Sequence, residues 1–447
     1  RRNIRYGRWW VEPNPESMRN RSPQQNRIDG GCSAITWRWI AVTFLATLSL
    51  GRGEDAPETS QKGERWGTTF RETYRSRADD QAISFEVRLP PVSTVADGQK
   101  LPLMVVLKGG LRVAPSEAFP LIQIKPSRGR TWAYRAMSAH DALQAIAHMK
   151  RNYPVDVDRV YLVGASAGGS GAMQLASGHA DEFAAVLPLV AAGTGYPLMN
   201  FKHLPVAFHH GDRDWTSSIC NARVQALRMQ ALGCPTILVE YPGAGHSIPP
   251  PHEPLVEWLF KQRRDPSPPS IAHECESPSG GRSHWLAIRE FRDPHQKASV
   301  EAEVEFSGDR GSLRIEARNV AAFSLDTDRM PQGVVAVEVN GDPLSLDPSA
   351  EPESVELRYG DGYWEEGPLE VRDGDGSWRP YHAGAAANLY QGEPLLIVYG
   401  TGNGRGDRLR AAAEKLAACG GPPFGAMARK FPIVADVDLT PKQEAQC

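Results

Sequence analysis

The residues best placed to do chemistry begin with Gly164-Ala165-Ser166-Ala167-Gly168. This pentapeptide follows an apolar run, Val160 to Val163, and precedes a helix-like run, Gly169 to Ala176. Strand, tight turn with a central serine, then helix is the arrangement that lifts a hydroxyl to the top of a sheet. Glycines flank it because the turn is strained and its neighbours pack closely. A serine hydroxyl becomes a nucleophile only beside a base, and the base needs a carboxylate to orient it. Both types follow downstream. Leu204 to Asp214 is an apolar run ending in a polar turn, and Thr236 to His246 is another ending in a Gly-rich loop with one histidine. Each candidate sits just past the C-terminal end of an expected strand, where catalytic groups gather in open α/β sheets. The chemistry this points to is acyl transfer. Ser166 is the candidate nucleophile, His246 the general base and acid, and Asp214 the orienting carboxylate.

Asp212 lies in the same turn as Asp214. The spacing His-Gly-x-x-Asp favours Asp214 for the orienting role and leaves Asp212 to cap the turn. His209 and His210 beside these aspartates raise a metal site as an alternative. No second ligand group accompanies them, and adjacent residues at a strand end point in opposite directions, so no metal is expected. Acyl transfer also needs donors for an oxyanion. The backbone N–H of Ala167 should be one, at the start of the helix after the serine. Gly110, in the Lys108-Gly109-Gly110 turn that follows Leu103 to Leu107, should supply the other, with Leu111 the next choice. No cofactor is called for.

The elements that must position these groups fit a chain of 447 residues, long enough for two or more domains. A net charge of −3 gives no reason to expect a nucleic-acid partner. The six cysteines are scattered, without metal-ligand spacing. Cys220 and Cys234 flank an expected helix, which would hold them roughly 20 Å apart, so no disulfide framework is expected. Residues 1–53 read as a basic leader and signal-like segment. Several arginines precede an apolar core from Trp37 to Leu50 of about a dozen apolar residues, then small residues, the pattern of export. That core is short for a membrane span. Secreted or periplasmic placement is expected, with membrane anchoring as the alternative.

Residues 54–67 read as a linker. From 68 to 264 strand-like and helix-like runs alternate, which predicts an α/β domain, a mainly parallel sheet flanked by helices. Within it, Ser138 to Tyr153 should be a helix and Pro254 to Arg263 the closing one. The Pro/Ser stretch within 265–280 reads as a linker. Beyond it the period changes to two. Val300, Ala302, Val304 and Phe306 should share one face, and Asn340-Gly341 is a hairpin signal. A β-rich, antiparallel, sandwich-like accessory module is expected over 281–390, and an α/β tail over 391–447. Gly400 to Gly406 looks superficially like a dinucleotide loop. Its glycine spacing is wrong and no complete βαβ unit is expected to follow, so it reads as a plain strand-to-helix turn. Thr440-Pro-Lys-Gln443 looks like a helix start, which suggests a truncated C-terminus.

With these residues in view, 82–264 resembles the α/β-hydrolase superfamily, in the branch of polyhydroxybutyrate-depolymerase-like and feruloyl-type esterases and the prolyl-oligopeptidase catalytic domain. The matching pieces are Leu101 to Gly110, Tyr153 to Gly169, Phe208 to Asp214 and Gly243 to His246. Ser166, Asp214 and His246 fall on that family's triad positions. Two departures stand out. Lys108-Gly109 replaces the usual His-Gly, which bears on how the oxyanion loop is braced. Thr216-Ser217 replaces the usual Val-Pro, which bears on how the acid loop packs. With the leader, the reading is a secreted serine hydrolase acting on esters, and the short segment between the Ala184 strand and the Asp214 strand encodes no large lid, so an open cleft suits bulky or polymer-borne acyl groups. A prolyl-oligopeptidase-type serine peptidase is the alternative. A non-catalytic polysaccharide-binding protein is the third reading.

Overall fold

The computed structural model describes residues 42–44, 65–76, 82–111, 113–126, 137–293, 295–344, 354–360, 362–367, 395–402, 406–419 and 433–439. Its centre is an eight-stranded sheet. The strands are β1 (Thr69–Arg75), β2 (Ala82–Arg88), β3 (Leu101–Val106), β4 (Ile122–Lys125), β5 (Val155–Ala165), β6 (Ala185–Leu189), β7 (Val206–Gly211) and β8 (Thr236–Tyr241). They lie in the order β1-β2-β4-β3-β5-β6-β7-β8. The β1–β2 and β2–β4 pairs are antiparallel, and every later pair is parallel.

Burial explains the sequence pattern of these strands. β3, β6 and β7 are buried throughout, as strands covered on both faces must be. Successive residues serve opposite faces. Leu103, Val105 and Leu162 pack with Ile146 and Met149 of α1 (Met137–Asn152), Met173 of α2 (Ala167–Gly178) and Met229 of α3 (Ile219–Ala231). Met104, Tyr161, Val163 and Leu187 pack on the other side with Leu255 and Leu259 of α4 (Glu253–Phe260). The expected helices are thus present, with α4 ending at Phe260.

The C-terminal module consists of two five-stranded sheets over a separate core that holds Trp285, Ile315, Phe323 and Leu357. Its first strand, Ser270–Cys275, starts inside the segment read as a linker and pairs antiparallel with Ala298–Ser307. The prolines before it mask an alternation in which Ile271, His273 and Cys275 are the buried positions. Two further expectations are corrected. Arg310–Arg318 and Val334–Val339 pair in parallel, so the module is not purely antiparallel. Phe306 is half exposed although it shares a period-two register with buried Val300, Ala302 and Val304. Asn340 and Gly341 have φ of 53° and 90° and close the hairpin between Val334–Val339 and Asp342–Leu344, as the dipeptide predicts.

The tail also differs from expectation. Leu395–Tyr399 and Ile433–Ala435 pair in parallel, with α5 (Gly406–Cys419) between them in sequence, so a βαβ unit does form. No sequence period ties 399 to 433, so the pairing has no local signal. Thr401 donates to Asp436 through N–H and hydroxyl at 3.0 and 2.7 Å, so the start of the Gly-rich turn is held by a carboxylate. The signal-like segment lies outside the described residues except for Val42–Phe44, a strand paired with Leu395–Tyr399. Thr440 to Gln443 also lies outside them. Among the described residues no helix is long and apolar enough to cross a membrane.

Polar side chains and buried histidines fasten the module to the eight-stranded unit. Asn200 donates to Glu274 O at 2.9 Å and accepts from Glu274 N at 2.7 Å, so it pairs with the module's first strand as another strand would. His203 meets Ser270 Oγ at 3.1 Å, and the Trp285 indole donates to Pro268 O at 2.9 Å. Burial pushes the His284 imidazole down to about 4, with Asp181, His203, Arg264 and Asp265 as its charged and titratable neighbours. Burial likewise lowers His179, His203 and His273. The unfolded chain takes up protons below pH ~6.5 where this folded junction does not. Stability is therefore full above pH ~6.5 and falls as pH drops toward 4, by up to about 3 kcal/mol for His284 alone. The melting temperature is expected to decline across that interval. A flat profile between pH 6.5 and 4 contradicts this account of the junction.

Candidate active site

Each candidate group stands at the C-terminal end of a strand. Ser166 follows β5 and immediately precedes α2, with φ 55° and ψ −121°. A side chain at such a φ is strained, and neighbours on both sides hold it there. Ser166 N donates to Leu189 O at the end of β6 (2.8 Å), and Ala165 N donates to Lys108 O beyond β3 (3.2 Å). Gly168 is required by contact: a Cβ there would overlap the carbonyl of Lys108. The elbow is thus wedged against the turn expected to carry an oxyanion donor. Within that turn Gly109 and Gly110 have φ of 77° and 137°.

Asp214 lies three residues beyond β7, and His246 in the loop after β8. The two loops are laced together. Asp212 N donates to Tyr241 O at 3.2 Å and Arg213 N to Ala244 O at 3.0 Å. Gly211 packs so tightly against the carbonyls of Ala244 and Gly245 that a Cβ would collide with both.

These constraints bring the predicted side chains into one line. His246 Nε2 lies 2.9 Å from Ser166 Oγ, and His246 Nδ1 lies 2.7 Å from Asp214 Oδ2. A carboxylate can only accept, so Nδ1 carries the proton and Nε2 is free to accept the Ser166 hydroxyl proton. The Asp214 side chain is fully buried, while that of His246 is 26% exposed. Burial pushes the Asp214 carboxyl up, but hydrogen bonds from Ser217 N–H, His246 and Thr216 N–H outweigh it and hold the group below its ordinary range. The two backbone bonds, both 2.9 Å, converge on Oδ1. Asp212 is elsewhere engaged: its Oδ1 accepts from Gly243 N at 2.6 Å and so braces the loop that carries His246.

Ala167 is the first residue of α2, so its N–H is one of those with no acceptor inside the helix. Gly110 lies two residues beyond Lys108, whose carbonyl Gly168 abuts. Among the described residues no cluster of His, Cys, Asp or Glu could hold a metal. His209 and His210 do point apart. His209 Nδ1 meets Tyr241 Oη at 2.8 Å, and burial lowers its imidazole to about 4. His210 Nε2 lies 2.8 Å from Ser217 O and 3.2 Å from Asp214 Oδ2.

His210 and Ser217 are the residues that sequence reading missed. His210 bridges the acid loop from beneath, and Ser217 supplies both an N–H to Asp214 and a carbonyl to His210. A proline at 217 would lack that N–H, so the Thr216-Ser217 departure adds a bond to the carboxylate. The only sequence signal for His210 was its place four residues before Asp214. Removing it should let the carboxylate shift within its pocket. A misplacement of about 1 Å costs about a hundredfold in rate. His210→Ala is therefore expected to lower kcat about 10- to 100-fold with little change in KM, and an unaltered kcat would remove His210 from the positioning set.

Parts of the chain are similar to known proteins. The dienelactone hydrolase family model matches residues 125–257. That match gives this part of the chain an α/β-hydrolase fold and supports an enzyme of the hydrolase class. No curated protein matches the chain in sequence. Among solved structures, a thermostable esterase is 20% identical with a TM-score of 0.38, covering 44% of this chain and 63% of its own. A ferulic acid esterase is 18% identical with a TM-score of 0.34, over 43% of this chain and 95% of its own. Porphyromonas gingivalis dipeptidyl peptidase 4 is 13% identical with a TM-score of 0.36, over 44% and 36% respectively.

Proposed function

We propose that this hydrolase is a secreted enzyme that cleaves carboxylic esters through an acyl-enzyme, with Ser166, His246 and Asp214 as its triad. The observation that carries this reading is the unbroken hydrogen-bonded line from Ser166 Oγ through His246 to a buried carboxylate. Ser166 Oγ attacks the ester carbonyl carbon while His246 Nε2 takes its proton. The carbonyl oxygen becomes an oxyanion, held by the N–H groups of Ala167 and Gly110. The intermediate collapses, the bond to the alcohol oxygen breaks, and His246 returns the proton to that oxygen. Water then repeats the sequence on the acyl-enzyme, which releases the acid and restores the serine hydroxyl. Asp214 holds Nδ1–H throughout and stabilises the imidazolium.

Access supports bulky esters. The connection after β6 is held down on α2, where Ser170 Oγ accepts from Ala192 N and Gly193 N at 3.2 and 2.9 Å. The His246 side chain is 26% exposed, which leaves room for an ester borne on a polymer. The basic leader and the apolar core from Trp37 to Leu50 support export. A fluorophosphonate probe reacts only with an activated serine. It is expected to label the protein on the peptide carrying Ser166 and to leave Ser166→Ala unlabelled. A folded protein that resists the probe would instead favour a non-catalytic role.

A further inference from the structure

Two strained turns stand side by side at the ends of the paired strands β5 and β6. Ser166 has φ 55° and Val190 has φ 44°. For a β-branched side chain such a φ is an outlier, and it persists only where the surroundings over-determine it. The two turns share a hydrogen bond, because Leu189 O, the last carbonyl of β6, accepts Ser166 N–H at 2.8 Å. The same Leu189–Val190 peptide is tied on its other side, where Val190 N donates to His209 O at 2.9 Å. After Val190 the chain leaves the sheet and lies on α2. The approach is so close that a Cβ on Gly169 would stand 3.0 Å from the Ala191 Cβ.

One residue joins this turn to the nucleophile. Ser170 lies about one helical turn beyond Ser166, and its N–H donates to Ser166 O at 3.0 Å. Its Oγ accepts from both Ala192 N and Gly193 N, and its carbonyl accepts the Tyr196 hydroxyl at 3.0 Å. Gly193 has no room for a side chain, since a Cβ would collide with Tyr196 Oη. From the far side α3 takes the two carbonyls. Asn221 Nδ2 donates to Ala192 O at 3.0 Å, and Gln225 Nε2 donates to Gly193 O at 2.5 Å. Alanine at 170 would take the acceptor from two N–H groups at once, and the strain at Val190 would then draw the turn away from α2. We propose that Ser170 is a positioning residue: by clamping the turn after β6 onto α2, its hydroxyl keeps the Leu189 carbonyl on Ser166 N–H and so fixes the 2.9 Å reach from Ser166 Oγ to His246 Nε2. This rests on Ser166 as the nucleophile and deepens that reading.

The test measures kcat and KM on a p-nitrophenyl ester, and the rate of fluorophosphonate labelling, for the wild type, Ser170→Ala, Asn221→Ala and the double variant, each with a melting curve. Ser170→Ala is expected to lower kcat and the labelling rate together, about 10- to 100-fold, as for a misplacement of up to about 1 Å, with KM held within about twofold. Asn221→Ala loses one bond to the same turn and should lower both by about threefold. The double variant should lose less than the product of the two effects, because both residues hold one turn. A folded Ser170→Ala that keeps kcat within about twofold, or that changes KM alone, overturns the proposal and leaves the nucleophile in place. Should Ser170→Ala fail to fold, Asn221→Ala decides: an unaltered kcat and labelling rate overturn the clamp. A wild type that neither turns over the ester nor takes the probe overturns the nucleophile itself, and the clamp with it.

Discussion

Replacing Ser166 by alanine is expected to lower kcat on a p-nitrophenyl ester by about a millionfold, the size of effect seen when a triad nucleophile is removed. Without Oγ no acyl bond can form, and the oxyanion donors and binding surface retain only a residual rate. The fold should survive. Alanine at φ 55° carries much the same backbone strain as serine, and Ser166 N–H still reaches Leu189 O. Kinetics with matched melting curves check both halves. A variant that keeps more than a tenth of wild-type turnover would mean that the hydroxyl is a packing group and the reaction runs elsewhere.

Asp214→Asn should be nearly as severe, about ten-thousandfold in kcat. The reason lies in how the side chain is held. Oδ1 accepts two backbone N–H groups, so the amide oxygen of asparagine must stay there. Its NH₂ is then forced toward His246 Nδ1 and His210 Nε2. Donor faces donor, and the His246 imidazole answers by moving its proton to Nε2. That nitrogen can no longer accept from Ser166. The measurement is kcat for the variant over a range of pH. Loss of less than tenfold would sink the assignment and return Asp212 to consideration.

The three candidate side chains were legible because the chemistry they could do demands particular side chains at particular places. Apolar runs marked β5, β7 and β8, and each ran directly into a polar turn holding one suitable group. The support for Asp214 was less visible. His210 and Ser217 act through a loop that folds back on the strand end, and neither has a pattern of its own. The module's period of two was readable, but parallel pairing between Arg310–Arg318 and Val334–Val339 depends on which strands meet in space. The first module strand was hidden behind prolines, with a histidine at one inward position. The βαβ tail joined segments too far apart for any local signal.

Strand order has a last consequence. β6 separates β5 from β7, and β8 adjoins β7. Neighbouring strands lie about 4.8 Å apart, so Ser166 and Asp214 are mounted on rungs about 10 Å from each other. Only a group hung from a loop can span that gap, and His246 is the bridge. The alignment is inherited from the backbone ladder, which substitutions at exposed positions leave intact. The loops around it are free to diversify. A lineage can retarget such an enzyme by editing its border while the proton path stays in tune.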